Sequence, residues 1–330
     1  MRHQYLQLHQ LYQSLIRQLI LLLVVVLLGA CARAPVIPIG SVGLPERVEL
    51  DEVPFFPQED YQCGPAALAT MLTQRGVATA PEDLVPRVYL PQRKGSLQVE
   101  MVAAARAHDL LVYPLEPRLE AVLAEVAAGN PVLVLQNLAF DRWPQWHFAV
   151  VVGYDLAAQT VVLRSGTTRR WTGSFHQFER SWAKGKRWAV VTVAPDQLPR
   201  TATETVWLRA SNDLEQTDHD DAAMIAYETA AEHWNSGLAW FALANARYAQ
   251  GDKRAAERAL RTSVQRDDSF AAGWFNLSQV LAEQGCPVQS SAARACAARL
   301  VPDDERFKAE LPQRRGEAAA CQEPPPCPVL

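Results

Sequence analysis

The sequence lacks an excess of charge of either sign: 32 Lys and Arg against 36 Asp and Glu leave a formal net charge of −4 over 330 residues. That near-balance removes the electrostatic case for a nucleic-acid partner. Long apolar runs are missing too, apart from Leu19 to Leu28, which is too short to read as a membrane span. Histidine is scarce, seven in all, and none lies near Cys286, Cys296, Cys321 or Cys327, so zinc is the weaker reading of those four cysteines. No motif for a cofactor is present, and none is expected. What remains is a chain that is 49% hydrophobic and long enough for two ordinary domains.

The first apolar run follows Arg17 and leads at once into Leu28-Gly29-Ala30-Cys31. A short apolar stretch after a basic residue, ending in small residues, is the pattern of a secretory signal. The tetrapeptide resembles a bacterial lipobox. That resemblance implies a signal peptide over residues 1–30, cleavage before Cys31 and lipidation of its thiol. With Ala32 rather than Asp next in line, lipoprotein sorting in Gram-negative bacteria implies an outer-membrane anchor facing the periplasm. An ordinary signal peptide or an uncleaved anchor is the alternative. Residues 31–47 are rich in Pro, Gly and small residues and read as a tether.

Cys63 lies in the run Gln58-Glu59-Asp60-Tyr61-Gln62-Cys63-Gly64-Pro65-Ala66-Ala67-Leu68. Pro is tolerated in a first helical turn, and Ala66 to Leu72 is a strong helix former. The thiol therefore sits at a helix start, where unpaired N–H groups favour its anion. A buried, inert cysteine is the bland alternative, against which stand the polar residues just before it.

Residues 48–196 mix helix and strand signals. The pattern predicts an extended segment from Val48 to Phe56, helices over Gly64–Arg75, Leu97–His108 and Leu119–Ala128, and strands at Val132–Leu135, Phe148–Val152, Thr160–Leu163 and Trp188–Val193. Helices first and an antiparallel sheet later indicate an α+β domain. Beyond it the chain turns alanine-rich and helical. Trp240 and Trp274, Leu243 and Leu277, Gly251 and Gly285, and Ala259 and Ala293 all repeat at 34 residues. That period resembles tetratricopeptide repeats over residues 219–310. Residues 197–218 are then a linker or a degenerate repeat, since Trp207 aligns with Trp240 at 33. Such stacks imply a surface for protein partners.

A cysteine nucleophile needs a base. His3 and His9 fall in the leader, and His219 and His233 in the helical region. His108 ends a predicted helix, and His176 has no ordered context that the pattern reveals. His147 opens the most hydrophobic predicted strand, directly after Trp143-Pro144-Gln145-Trp146. A surface or packing role is the plain alternative for a lone histidine there.

Gln58, then Cys63-Gly64-Pro65-Ala66-Ala67-Leu68, then His147-Phe148-Ala149-Val150-Val151-Val152-Gly153 in that order resemble the C39-like family of papain-fold cysteine peptidases over roughly residues 50–195. The resemblance implies that Cys63 is the nucleophile, His147 the base, and Gln58 an oxyanion donor beside the Cys63 amide. A peptide or protein is then the substrate. Two departures stand out. Gln58 is five residues before Cys63 where the family has six, with Gln62 adjacent. The family's Asp on the next strand is replaced by Leu163-Arg164-Ser165-Gly166. Ser165 and Asn137 are the candidates to orient His147; Asp155 lies eight residues along the strand. The missing carboxylate leaves open a catalytically weak papain-like scaffold, and a different acyl-transfer enzyme on the same fold is a third reading.

For an exported chain, the four C-terminal cysteines can form two disulfides. Cys286 and Cys296 straddle a predicted helix start, so the expected bridges tie Cys321 and Cys327 of the Pro-rich tail, residues 311–330, onto the last helices.

Overall fold

The computed structural model describes residues 17–18, 36–37, 43–58, 62–308 and 321–329. The expected signal peptide apart from residues 17–18, Cys31, most of the tether, and the first part of the tail lie outside the described residues. The chain divides into two units, Met1–Gly43 and Leu44–Leu330. Among the described residues no helix is long and apolar enough to cross a membrane.

Within Leu44–Leu330 the centre is a seven-stranded antiparallel sheet, formed by β1 (Arg47–Glu49), β2 (Leu111–Pro114), β3 (Val132–Asn137), β4 (Trp146–Asp155), β5 (Thr160–Ser165), β6 (Thr168–Ser174) and β7 (Ala189–Val193). The order is β2-β7-β3-β4-β5-β6, with β1 paired to the far end of β4. β4 is buried from His147 through Tyr154, as a strand covered on both faces must be, and its run of valines suits that position. At Gly153 the β4–β5 register shifts and β1 approaches so closely that a Cβ would stand 2.8 Å from the Val48 carbonyl. Only glycine fits there.

Helix α1 (Cys63–Gln74) crosses one face of the sheet, buried from Cys63 to Leu72. Its Leu68, Met71 and Leu72 pack with Phe148, Val150 and Val152 of β4 and with Leu133, Leu135, Val162 and Val190 from the neighbouring strands. Two further helices, α2 (Pro81–Val88) and α3 (Gln98–Arg106), close this core through Leu84, Val88, Met101 and Ala105. Burial of each such side chain contributes roughly 1.5–3 kcal/mol. Helix α4 (Leu119–Ala127) precedes β3. Helix α5 (Phe175–Lys184) packs beside β3, β5 and β6, with Phe175, Phe178 and Trp182 fully buried.

The predicted helices and strands are present with ends shifted by a few residues, except that the extended segment from Val48 to Phe56 is strand only over Arg47–Glu49. Elements without a prediction are α2, which contains Pro86, and β2, β6 and α5. His176 thus does have an ordered context, one residue into α5 behind an N-cap: the Ser174 hydroxyl accepts from the Gln177 N–H at 3.2 Å.

Six helices follow: α6 (Glu204–Glu215), α7 (Asp220–Trp234), α8 (Gly237–Ala249), α9 (Lys253–Arg266), α10 (Ala271–Glu283) and α11 (Pro287–Leu300). The 34-residue spacing has a physical basis in this array. Trp240 and Trp274 sit at matching points of α8 and α10, while Gly251 and Gly285 both turn the chain at φ +82°. Disulfides join Cys286 to Cys321 and Cys296 to Cys327, which pins the tail to α11 and the turn before it.

Candidate active site

Cys63 is the first residue of α1, and no side chain caps that helix end. The orphan N–H groups of the first turn are therefore left for another acceptor. Gly64 follows because a Cβ there would meet Ser96 Cβ at 2.6 Å. Cys63 is 9% exposed. Burial pushes its thiol up from the ordinary value, against the pull of the backbone N–H groups of Phe148, Gly64 and Cys63 itself, which favour the anion.

His147 stands on β4 opposite Gln136 of β3, and is 7% exposed. Its Nε2 lies 2.8 Å from Ser165 Oγ at the end of β5. Burial lowers the ring's pKa to about 4, and among the described residues no anion faces it to offset the lost hydration. At neutral pH the imidazole is therefore neutral and so is the thiol. Nδ1 makes no hydrogen bond among the described residues, nor does the Cys63 sulfur with the ring.

The two candidates for orienting the ring separate clearly. Ser165 holds it. The strands carrying Asn137 and Trp146 do pair, but Asn137 Oδ1 accepts from the backbone N–H groups of Ala139 and Gln145, at 3.0 and 2.9 Å, and so shapes the β3–β4 turn. Asp155 caps a distant turn through the Ala158 N–H at 2.8 Å. Arg164, beside Ser165, is buried and directs its guanidinium at the carbonyls of Leu50, Asp51, Val53 and Arg169. It straps the 50–53 segment to β5, a role with no local signature in the sequence.

Gln58 lines the same small cleft as Cys63, Phe148, Ser165 and Gly166, and its backbone N–H donates to the Gly166 carbonyl at 3.1 Å. Gln62 is the residue just before the helix, its carbonyl accepting from Ala66. Glu59 to Tyr61, between them, lie outside the described residues. The cleft holds only about 10 Å³, room for a single water. A larger hollow of about 560 Å³ adjoins it, and Ser165 lines both. No group of three or more His, Cys, Asp or Glu side chains that could hold a metal occurs among the described residues.

A cysteine at the head of the helix that crosses an antiparallel sheet, facing a strand that opens on a histidine, defines a papain-like peptidase fold. Residues 50–190 match the sequence profile of the Peptidase_C39 like family. Among solved structures, the chain is similar to a Bacillus anthracis protein described as a C39-like peptidase, at 18% identity and TM-score 0.38, covering 45% of this chain and 98% of that one. It is also similar to the peptidase domain of Streptococcus ComA, a bifunctional ABC transporter involved in quorum sensing, at 17% identity and TM-score 0.34, covering 43% and 98%. A third similarity is to the Yersinia enterocolitica type III secretion chaperone SycD, solved with a peptide of the translocator YopD: 14% identity, TM-score 0.30, covering 32% and 84%. No curated protein matches the chain significantly.

Proposed function

We propose that the domain spanning residues 50–190 hydrolyses peptide bonds by a cysteine mechanism, and that the chain is an envelope lipoprotein whose helical array recruits substrate or partner. One observation carries the catalytic reading: Ser165 engages His147 by Nε2, leaving Nδ1 without a hydrogen bond among the described residues, beside Phe148, whose N–H points at the Cys63 thiol. In this reading His147 takes the Cys63 proton and the sulfur attacks the scissile carbonyl carbon. The Cys63 N–H and the Gln58 side-chain amide receive the oxyanion. The imidazolium then protonates the leaving amine, and water hydrolyses the thioester. The narrow cleft means that Phe55 and Phe56, which line it with Gln58, must yield before a substrate enters. Lipidation at Cys31, an outer-membrane location facing the periplasm and tetratricopeptide character of the helical pairs rest on the sequence resemblances.

The competing reading is a scaffold with weak catalysis. The neutral resting pair and the hydroxyl at position 165 favour it. Digestion of a peptide library by the full chain decides between them. The peptidase reading expects cleavage that disappears in Cys63→Ala and falls at least 100-fold in His147→Ala, in line with loss of a general base. Library peptides left intact by wild type at every pH from 6 to 9 would remove the peptidase reading.

A further inference from the structure

Among the described residues the larger hollow is electrostatically one-sided: Arg180 and Lys184, one turn apart on α5, are its two charged lining residues, and no carboxylate lines it. Arg180 is exposed and has no hydrogen-bond or ion-pair partner among the described residues. Lys184 Nζ donates to the Ala139 carbonyl at 2.6 Å and stands 3.9 Å from Asp141, whose side chain is 82% exposed. That carboxylate lies out in solvent and neutralises little of the pair. Leu138 and Trp171 supply apolar wall, and the Gln177 amide adds a donor. Ser165 belongs to the wall of this hollow and of the Cys63 cleft alike, which places the hollow beside the candidate nucleophile.

From this we infer that the α5 hollow is a substrate subsite that takes a carboxylate of the peptide, with Arg180 as the principal cation and Lys184 as its second. The inference rests on the peptidase reading for what the bound peptide is, not for whether it binds. A guanidinium without a partner offers paired N–H donors to a carboxylate, and a recess carrying one sign of charge strengthens the attraction. The carboxylate is either an acidic side chain or a free C-terminus, and both have the same chemistry.

Binding is measured on the full chain carrying Cys63→Ala, so that turnover does not intervene. The probes are nitrobenzoxadiazole-labelled octapeptides of Ala and Ser, C-terminally amidated, with one Glu moved through every position. Matched Gln peptides, and one Gln peptide with a free C-terminus, complete the set. At 50 mM salt at least one Glu register, or the free C-terminus, binds about tenfold tighter than its neutral counterpart. The preference shrinks with salt, survives in Arg180→Lys, falls in Arg180→Ala and disappears in Arg180→Glu. Which probe wins tells side chain from terminus. Equal binding of charged and neutral probes overturns the subsite, as does a preference untouched by Arg180→Glu. Charge-selective binding without hydrolysis by wild type sinks the peptidase reading alone; hydrolysis with no charge preference sinks the subsite alone.

Discussion

A hydroxyl and a carboxylate do different things to the imidazole they face. Ser165 orients His147 at 2.8 Å but brings no charge, so the ring's lost hydration goes uncompensated and its pKa falls to about 4. A carboxylate at the same place would favour the imidazolium by 1–3 pKa units. Ser165→Asp is therefore expected to raise the His147 pKa by that amount in an NMR titration and to increase the alkylation rate of Cys63 at pH 7. Ser165→Ala should slow alkylation. Unchanged alkylation in both variants would mean that His147 does not act on Cys63. The same burial has a consequence for stability. With about 4 in the fold and an ordinary value of 6.5 when unfolded, His147 takes up its proton more readily in the unfolded chain. Its contribution is complete above pH 6.5 and is lost as pH falls towards 4, amounting to about 3 kcal/mol. Urea midpoints measured from pH 7 to 4 should fall more steeply for wild type than for His147→Gln. Parallel slopes would refute it. The places of Cys63 at the head of α1 and of His147 at the start of β4 were legible because each sits in a local pattern. What orients the histidine was not, because Ser165 and Asn137 differ only in which strand end curls towards the ring.

The start of α1 shows how an element serves one atom. The helix is buried from its first residue, uncapped, and delivers its N–H groups to a sulfur. That requires Gly64 to slide under Ser96, whose own hydroxyl is buried without a hydrogen-bond partner among the described residues. Gly64→Ala drives a methyl into Ser96 and should cost about 1–3 kcal/mol in urea unfolding, as overpacking does. Adding Ser96→Gly should restore most of that loss; if it restores none, the contact is not the cause. Elements with dense apolar runs, α1, β3, β4 and the last helices, were readable from pattern alone. Those that were not carry sparse signals. α5 presents only Phe175, Phe178 and Trp182 among polar residues, β6 is mostly exposed Thr-Arg-Arg, and α2 holds a proline in its interior. In each case the sheet or core supplies the order that local preference does not.

At the scale of the whole molecule, the contacts of the sheet domain run past residue 196. Glu125 of α4 is completely buried, and its carboxylate accepts from the backbone N–H groups of Arg200 and Thr201 and from the Thr201 hydroxyl, at 3.1, 2.6 and 2.6 Å. Tyr113 of β2 donates to the Thr201 carbonyl and accepts from the Thr203 N–H, which leads straight into α6. Arg106 of α3 pairs with Asp213 of α6 at 2.6 Å, and Asp109 meets His219 at 2.9 Å. The helical array is thus docked through buried polar groups rather than hung on a linker, and Leu44–Leu330 forms one compact unit accordingly. Sequence pattern could not expose this, since Arg200 to Thr203 carries no periodicity and its partners lie about 75–90 residues away. A variant ending at Asp196 loses all of these bonds, while one ending at Asn235 keeps them along with the α6–α7 pair. Hydrogen bonds to a charged group contribute roughly 1.5–3 kcal/mol each, and water admitted to Glu125 recovers part of that. The shorter variant should therefore be about 2–4 kcal/mol less stable in urea, with faster amide exchange in β2 and α4. Equal midpoints and equal exchange would instead establish the array as an independent appendage, and would remove the structural route by which a partner on those helices could act on the cleft.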